Sequence, residues 1–301
     1  MADEALDWLR SLFPASQVLD IRVQRERTWA TNWRVTVDEG EFWFKRGHPS
    51  LTRETALLEV LQRAAPEHVL VPFAMGPGES GWILTRDQGP TLATVSHDEG
   101  PRHYRETAVA LALTQQAASA TPHVLAQVGL RRFDPVRAVV LLDELLSWFA
   151  TLASSNPSHV GVDTRRSAMA GASALVDRWV AVASHDPGTG LDHNDLHLGN
   201  VFRGPLISDW GDAVLGHPFS SLRTLVFAAG QVFGDEASAL VRKAYLEQWG
   251  DPADLHETLE LAMQLAAVQR LYAWRRLGSP ELVAEYAEYV VPLVTELGRP
   301  V

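Results

Sequence analysis

Between Leu191 and Asp212 the chain sets carboxylates at 192, 195, 209 and 212, histidines at 193 and 197, and asparagines at 194 and 200. Polar loops held between rigid elements are where catalytic groups tend to sit. Two chemistries fit these residue types. His193, Asp195 and His197 alternate, and such a set could ligate a transition metal for hydrolysis. Asn200 and Asp209 offer instead an amide oxygen and a carboxylate, hard donors of the kind Mg²⁺ takes alongside substrate phosphates. Phosphoryl transfer needs that cation, ligands to hold it, positive charge on the phosphates, and a base for the acceptor hydroxyl. Asp195 could accept the hydroxyl proton.

The elements around this stretch decide what it can do. Val201-Phe202-Arg203 and Leu206-Ile207-Ser208 flank Gly204-Pro205 like a tight hairpin, so Asn200 and Asp209 should meet at its open end. Upstream, residues 3–13 read as an amphipathic helix, with Leu6, Leu9 and Phe13 on one face. Strand patterns follow at 18–23, 33–37 and 41–45, the last two joined by the turn Asp38-Glu39-Gly40. A helix over 52–64 buries Leu57, Leu58 and Leu61, with Ser50 or Thr52 as N-cap. Two more short strands are expected at 69–73 and 82–85. Helical patterns then dominate, at 102–120, 135–154, 165–184, 220–233, 236–249, 254–277 and 280–297. We place the lobe boundary at Asp87-Gln88-Gly89-Pro90, giving a sheet lobe over 1–88 and a helical lobe over 89–301.

The 301 residues suffice for two lobes, and a hydrophobic fraction of 46% with 21% charged residues is ordinary for a globular protein. The absence of cysteine excludes disulfides, thiolate metal sites and a cysteine nucleophile, and fits a reducing compartment. The acidic start Met1-Ala2-Asp3-Glu4 is unlike a signal peptide. Asp143 and Glu144 interrupt the most apolar segment, 136–153, which argues against a membrane span. A cytoplasmic protein is the expectation. A net charge of −11 argues against broad nucleic-acid binding. It would suit a cationic small molecule, or simply keep the protein soluble.

His193-Asn194-Asp195-Leu196, with Asn200 four positions beyond the leucine, resembles the catalytic-loop signature of kinase-like enzymes. Asp209-Trp210-Gly211 resembles their metal-binding Asp-Phe-Gly triplet. With Asn194 in place of arginine, the combination is similar to the aminoglycoside phosphotransferase and choline kinase group rather than to the protein kinases. That resemblance implies an α+β, bilobal, protein-kinase-like fold, with a small antiparallel-sheet N-lobe and a large mainly helical C-lobe. It also implies an ATP-dependent enzyme that phosphorylates a hydroxyl of a small-molecule acceptor, such as an aminoglycoside, an amino alcohol or a sugar. Asp195 would be the catalytic base, and Asn200 and Asp209 the Mg²⁺ ligands. Lys45 would contact the ATP phosphates and pair with Glu54 on the next helix. His193 would support the loop, and Tyr272, Trp274 and Glu288 lie where such enzymes bind the acceptor.

Two departures from the pattern stand out. Residues 27–32, where a glycine-rich loop would cover the phosphates, hold no glycine, leaving backbone groups or Thr28, Thr31 and Asn32 for nucleotide contacts. His217-Pro218-Phe219-Ser220-Ser221-Leu222 replaces a family Asp-Pro-x-x-Asp-Leu, so both carboxylates of that buttress are missing. A nucleotide-binding pseudokinase and the His193/Asp195/His197 hydrolase are the alternative readings.

Overall fold

Alternation along Trp33-Arg34-Val35-Thr36-Val37 buries every second residue, and the same period along 42–45 buries Phe42 and Phe44. A sheet with one packed face requires that period. In the computed structural model, which describes residues 2–13, 18–51, 53–94, 99–182 and 185–299, these runs belong to a five-stranded antiparallel sheet. Its strands are β1 (Val18–Glu26), β2 (Ala30–Val37), β3 (Gly40–Gly47), β4 (Ala74–Met75) and β5 (Trp82–Arg86), in the spatial order β1-β2-β3-β5-β4. Val37 pairs with Gly40 across a two-residue turn, and Gly40 takes a φ of +130° that favours glycine.

That register sets the faces. Trp33 lies opposite Phe44 and Val35 opposite Phe42, while Asn32 lies opposite Lys45 on the other side. Helix α1 (Ala2–Leu12) lays Ala5 and Leu9, with Phe13 just beyond its end, on the apolar face to close a small core. Lys45 is therefore directed away from that core, toward the rest of the chain.

Helix α2 (Arg53–Ala64) buries Leu57, Leu58 and Leu61 as its pattern predicts. They join the larger core, with helix α3 (Gly100–Ser119), rather than the small one. The sheet ends at Arg86, close to the expected boundary, yet this helix ties the sheet lobe to the helical one. Thr52, a candidate N-cap, lies outside the described residues.

The second lobe comprises α3, α4 (Pro122–Gln127), α5 (Ala138–Ala150), α6 (Val162–Ala181), α7 (Leu222–Phe233), α8 (Asp235–Leu246), α9 (Pro252–Arg276), α10 (Pro280–Glu285) and α11 (Ala287–Leu297). The long α9 is well started: Asp251 accepts the Ala253 N–H at 2.9 Å, and Pro252 occupies its first turn. Its buried side, including Leu259, Leu265 and Leu271, anchors the helix in the large core. Two short sheets hold the polar stretch, β6 (Gly190–Asp192) with β9 (Val214–Gly216), and β7 (Val201–Phe202) with β8 (Leu206–Ile207). Among the described residues no helix is long and apolar enough to cross a membrane.

Several elements differ from expectation. Residues 69–73 form no strand; Val69 makes one isolated bridge to Ile207, and pairing resumes at Ala74. Pro72 has no N–H to give a ladder. Pro135–Arg137 form a 3₁₀ turn before α5, and the last predicted helix breaks at Tyr286. The β6–β9 pair was not anticipated, because all its residues are buried and three-residue strands show no alternation.

Leu9 is fully buried against the sheet. Leu9→Ala should lower the stability of the fold by about 2–5 kcal/mol, the range for truncating a core leucine, as read from urea unfolding.

Candidate active site

β3 sends Lys45 to the cleft face of the sheet, and the first turn of α2 brings Glu54 to it. The Lys45 Nζ lies 3.0 and 2.7 Å from the two Glu54 carboxylate oxygens and 2.5 Å from Asp209 Oδ1. Burial works against the ammonium, but the Asp209 and Glu54 carboxylates outweigh it and hold Lys45 above the ordinary lysine value. Burial also raises Glu54, with Lys45 pulling the other way. For Asp209 the neighbouring ammonium outweighs burial and lowers its value. Lys45 thus bonds a carboxylate 164 residues away in sequence.

The β7–β8 hairpin does what its sequence suggests. Ser208 donates both its N–H (2.8 Å) and its hydroxyl (2.9 Å) to the Asn200 carbonyl. Asn200 and Asp209 consequently line one cavity of about 260 Å³, together with Lys45, Glu54 and Asn32. Asn200 Nδ2 donates to the Asp195 carbonyl at 3.1 Å, which ties the hairpin to the loop before it and fixes the side-chain amide. An amide oxygen and a carboxylate beside an open cavity fit a magnesium ion, which takes one or two carboxylates and completes its shell with phosphates and water.

Asp195 Oδ1 is held by Arg270 Nη2 at 2.9 Å. Arg270 Nη1 reaches Asp212 Oδ2 at 3.2 Å, and Arg276 donates to the other Asp212 oxygen. Burial raises Asp195, and Arg270 offsets part of that rise. Asn194 and Asp209 both hold left-handed backbone, with φ of 64° and 60°, a conformation Asn and Asp tolerate better than most side chains. Asn194 Nδ2 also donates to the Asp212 carbonyl at 3.3 Å, linking the two polar loops.

His193 is structural. Its Nε2 donates to the Ser208 carbonyl at 3.0 Å, and its Nδ1 accepts the Asp195 N–H at 3.3 Å. Burial lowers its pKa to about 4, so the ring stays neutral near pH 7. His197 Nδ1 accepts the Gly199 N–H at 3.0 Å. With both His193 nitrogens engaged, the His193/Asp195/His197 metal set is not assembled. Among the described residues no group of three or more His, Asp or Glu side chains could hold a metal ion.

Comparison with known proteins agrees with this geometry. Residues 20–262 match the family model described as "Phosphotransferase enzyme family". The chain belongs to that family. Small-molecule phosphotransfer is the chemistry of the family, and a search of the curated proteins found no match. Among solved structures, the chain resembles the GDP and kanamycin complex of APH(2")-IIia, with a TM-score of 0.65 at 17% identity, covering 96% of this chain and 98% of the other. Choline kinase LicA from Streptococcus pneumoniae gives 0.65 at 13% identity, covering 99% and 97%. Macrolide 2'-phosphotransferase type I gives 0.61 at 17%, covering 100% and 98%. At such identities the likeness establishes the bilobal, kinase-like fold.

As a phosphotransferase family member the chain departs from pattern in ways the structure explains. The missing buttress carboxylate is supplied from the other side of the hydrogen bond. Ser221 accepts the His193 N–H and donates to Asp192 Oδ1, both at 2.8 Å, and Asp192 Oδ1 also accepts the Asn194 N–H at 2.8 Å. Gln115 clamps the Leu191 and Pro218 carbonyls at 2.8 and 2.9 Å, and Tyr245 donates to Gln115 Oε1 at 2.6 Å. In the glycine-free loop, Trp29 packs edge-on against Tyr286 and Trp274, with centroids 5.3 and 6.2 Å apart. Of Thr28, Thr31 and Asn32, only Asn32 lines the cavity that Lys45 and Asp209 share, and Thr31 is buried.

The acceptor candidates divide. Tyr272 lines a second, larger cavity, Trp274 sits in the aromatic contact with Trp29, and Glu288 is exposed and lines neither cavity. Asp212 is not a solvated carboxylate but is bound by two arginines. Sequence reading missed Arg270, Arg276, Asp192 and Ser221. The two arginines belong to no motif and look like any polar position on a helix. Asp192 alone had a signal, as a carboxylate beside the catalytic-loop histidine.

Among the described residues Asp192 Oδ2 is buried without a hydrogen-bond partner, and burial raises the Asp192 pKa from 3.8 to about 6. Below the lower value both folded and unfolded carboxyls are protonated and the burial cost vanishes; above the upper value it is fully present. Wild type should therefore lose stability relative to Asp192→Asn as pH rises from about 4 to about 6, by up to roughly 3 kcal/mol, with no further change above. Urea unfolding of both proteins between pH 4 and pH 8 checks this; a difference independent of pH counts against it.

Proposed function

We propose that this protein transfers the γ-phosphate of ATP, bound with Mg²⁺, to a hydroxyl of a small molecule. The observation that carries the reading is the convergence of Glu54 and Asp209 on the Lys45 ammonium, with Asn200 lining the same cavity and Asp195 tied to Asn200 through its carbonyl. Lys45, positioned by Glu54, places its charge on the phosphates. Asn200 and Asp209 would hold the Mg²⁺, which neutralises charge developing between the β- and γ-phosphates.

Asp195 orients the acceptor hydroxyl through Oδ2, since Oδ1 is taken by Arg270. The hydroxyl oxygen forms a bond to the γ-phosphorus as the bond from the γ-phosphorus to the β–γ bridging oxygen breaks. The proton passes to Asp195 and ADP leaves. No specific feature of the structure favours a pseudokinase.

The direct test is phosphotransfer with Mg²⁺ and either ATP or GTP across aminoglycoside, amino alcohol, sugar and hydroxy-acid acceptors. Asp209→Ala should abolish turnover, and Asp195→Asn should reduce kcat by about 10²- to 10⁴-fold, the usual worth of a positioned base. An Asp209→Ala enzyme with wild-type activity would sink the assignment. Nucleotide binding without turnover by the wild type would mark a pseudokinase.

The pH dependence has a definite sign. Asp195 works as the carboxylate, and burial raises its value, so the acid limb of kcat/KM should lie above the ordinary carboxylate value of 3.8. Arg270 is what opposes that rise. Arg270→Met should move the acid limb to higher pH, measured as a pH–rate profile of both proteins; an unmoved limb argues against Asp195 as the titrating base.

A further inference from the structure

The larger cavity, about 650 Å³, shares Glu54 with the cavity that Lys45 and Asp209 line. It lies between the start of α2, α5 and the end of α9, with Trp210 and Gly211 in its wall. Its connection to Asp195 is an unbroken chain of ion pairs. Asp195 binds Arg270, Arg270 binds Asp212, and Asp212 binds Arg276 in the cavity wall.

The charge of this cavity runs against the charge of the protein. With a net charge of −11, the chain as a whole would favour a cationic ligand. The lining nevertheless brings together Arg53, Arg131, Arg275 and Arg276, against only Glu54 and Glu144. Glu54 is already bound to Lys45 through both oxygens, and Glu144 is exposed. Among the described residues, Arg131 and Arg275 have no carboxylate within salt-bridge distance. Arg131 donates only to the neutral Gln269 Oε1, at 2.6 Å. Arg276 pairs with Asp212, but its Nε is buried without a partner.

The two unneutralised guanidinium groups are also held in place. The Arg131 Cζ lies 3.6 Å from the Tyr272 ring centroid, and the Arg275 Cζ lies 4.5 Å from that of Trp148. Stacking on an aromatic ring occupies the face of a guanidinium and fixes its plane, while its N–H edges stay free to donate. Such edges match the paired oxygens of a carboxylate or phosphate.

We infer that this cavity takes an anionic group of the acceptor, a carboxylate or a phosphate ester, on Arg131 and Arg275. The inference rests on the phosphotransfer reading above for the word acceptor, and on the cavity alone for the anion. The molecule to be phosphorylated is then a hydroxy acid or a sugar phosphate, in contrast to kanamycin and choline, both cations.

Calorimetric titration tests the anion without requiring turnover. The full chain is titrated with glycerate, glucose 6-phosphate, kanamycin and choline, and separately with Mg²⁺–ATP. At least one of the two anionic probes should bind and both cations should not; the two anions between them distinguish carboxylate from phosphate recognition. Arg275→Gln and Arg131→Ala should each weaken anion binding by about 10- to 100-fold, the scale of one lost charged hydrogen bond, and folding of each is checked by circular dichroism. Binding of the cations alone, no binding of either anion, or anion binding unchanged in both variants overturns the inference and leaves phosphotransfer standing. Failure of the wild type to bind Mg²⁺–ATP overturns the phosphotransfer reading instead, while the anion titration still decides the cavity.

Discussion

One ammonium group holds the two lobes in register. Lys45 comes from the sheet lobe, Asp209 from the polar stretch of the helical lobe, and Glu54 from the helix between them. The side chains of Lys45 and Glu54 are 18% and 5% exposed, so neither charge is well hydrated and each depends on the other. One cation thus faces two carboxylates, Glu54 and Asp209. Removing Lys45 would strand two carboxylates near each other, and so the contact organises the cleft.

The same logic repeats one layer deeper. Arg270 stands between Asp195 and Asp212 as Lys45 stands between Glu54 and Asp209. In both places a basic side chain divides its charge over two carboxylates. Beneath them Asp192 makes no ion pair among the described residues, with Arg270 acting on it only at longer range, and relies on hydrogen bonds from Ser221 and Asn194. Its raised pKa follows from that difference: hydrogen bonds alone compensate burial less completely than an ion pair does.

What the sequence made legible was whatever repeats at short range. The alternation that directs Lys45 away from Phe42 and Phe44 is a period of two, and the Asn200–Asp209 hairpin announces itself by Gly204-Pro205 between apolar runs. The catalytic-loop and Asp-Trp-Gly patterns then located Asp195, Asn200 and Asp209 in one stretch. Arg270 and Arg276 were opaque for a physical reason. Their meaning depends on where α9 crosses the polar loops, a long-range fact that no local pattern encodes. Residues 69–73 misled because an apolar run bounded by turn signals resembles a strand, while Pro72 deprives it of a ladder donor. The Asp192–Ser221 exchange was hidden too. A motif read position by position registers a lost carboxylate at 221, whereas the hydrogen bond between the two positions preserves the polarity of the pair.

The glycine-free loop carries that lesson furthest. Glycines in a phosphate-covering loop permit close backbone approach through conformational freedom. Here the tip instead carries Trp29, whose ring packs against Tyr286 and Trp274 across the cleft. Trp274 in turn stacks on Tyr286 and Tyr289, with interplanar angles of 26° and 15°, so the loop meets a continuous aromatic surface rather than one ring. The position of the loop is then set by apolar packing between lobes; the flanking strands carry Arg25 and Asn32 to the cavity wall, and the loop itself carries Arg27. A loop docked by aromatic packing thus presents side-chain donors to the cavity, where a glycine loop would present backbone N–H groups. The strand register supplies part of that lining, since Asn32 lies opposite Lys45 and both face the cavity.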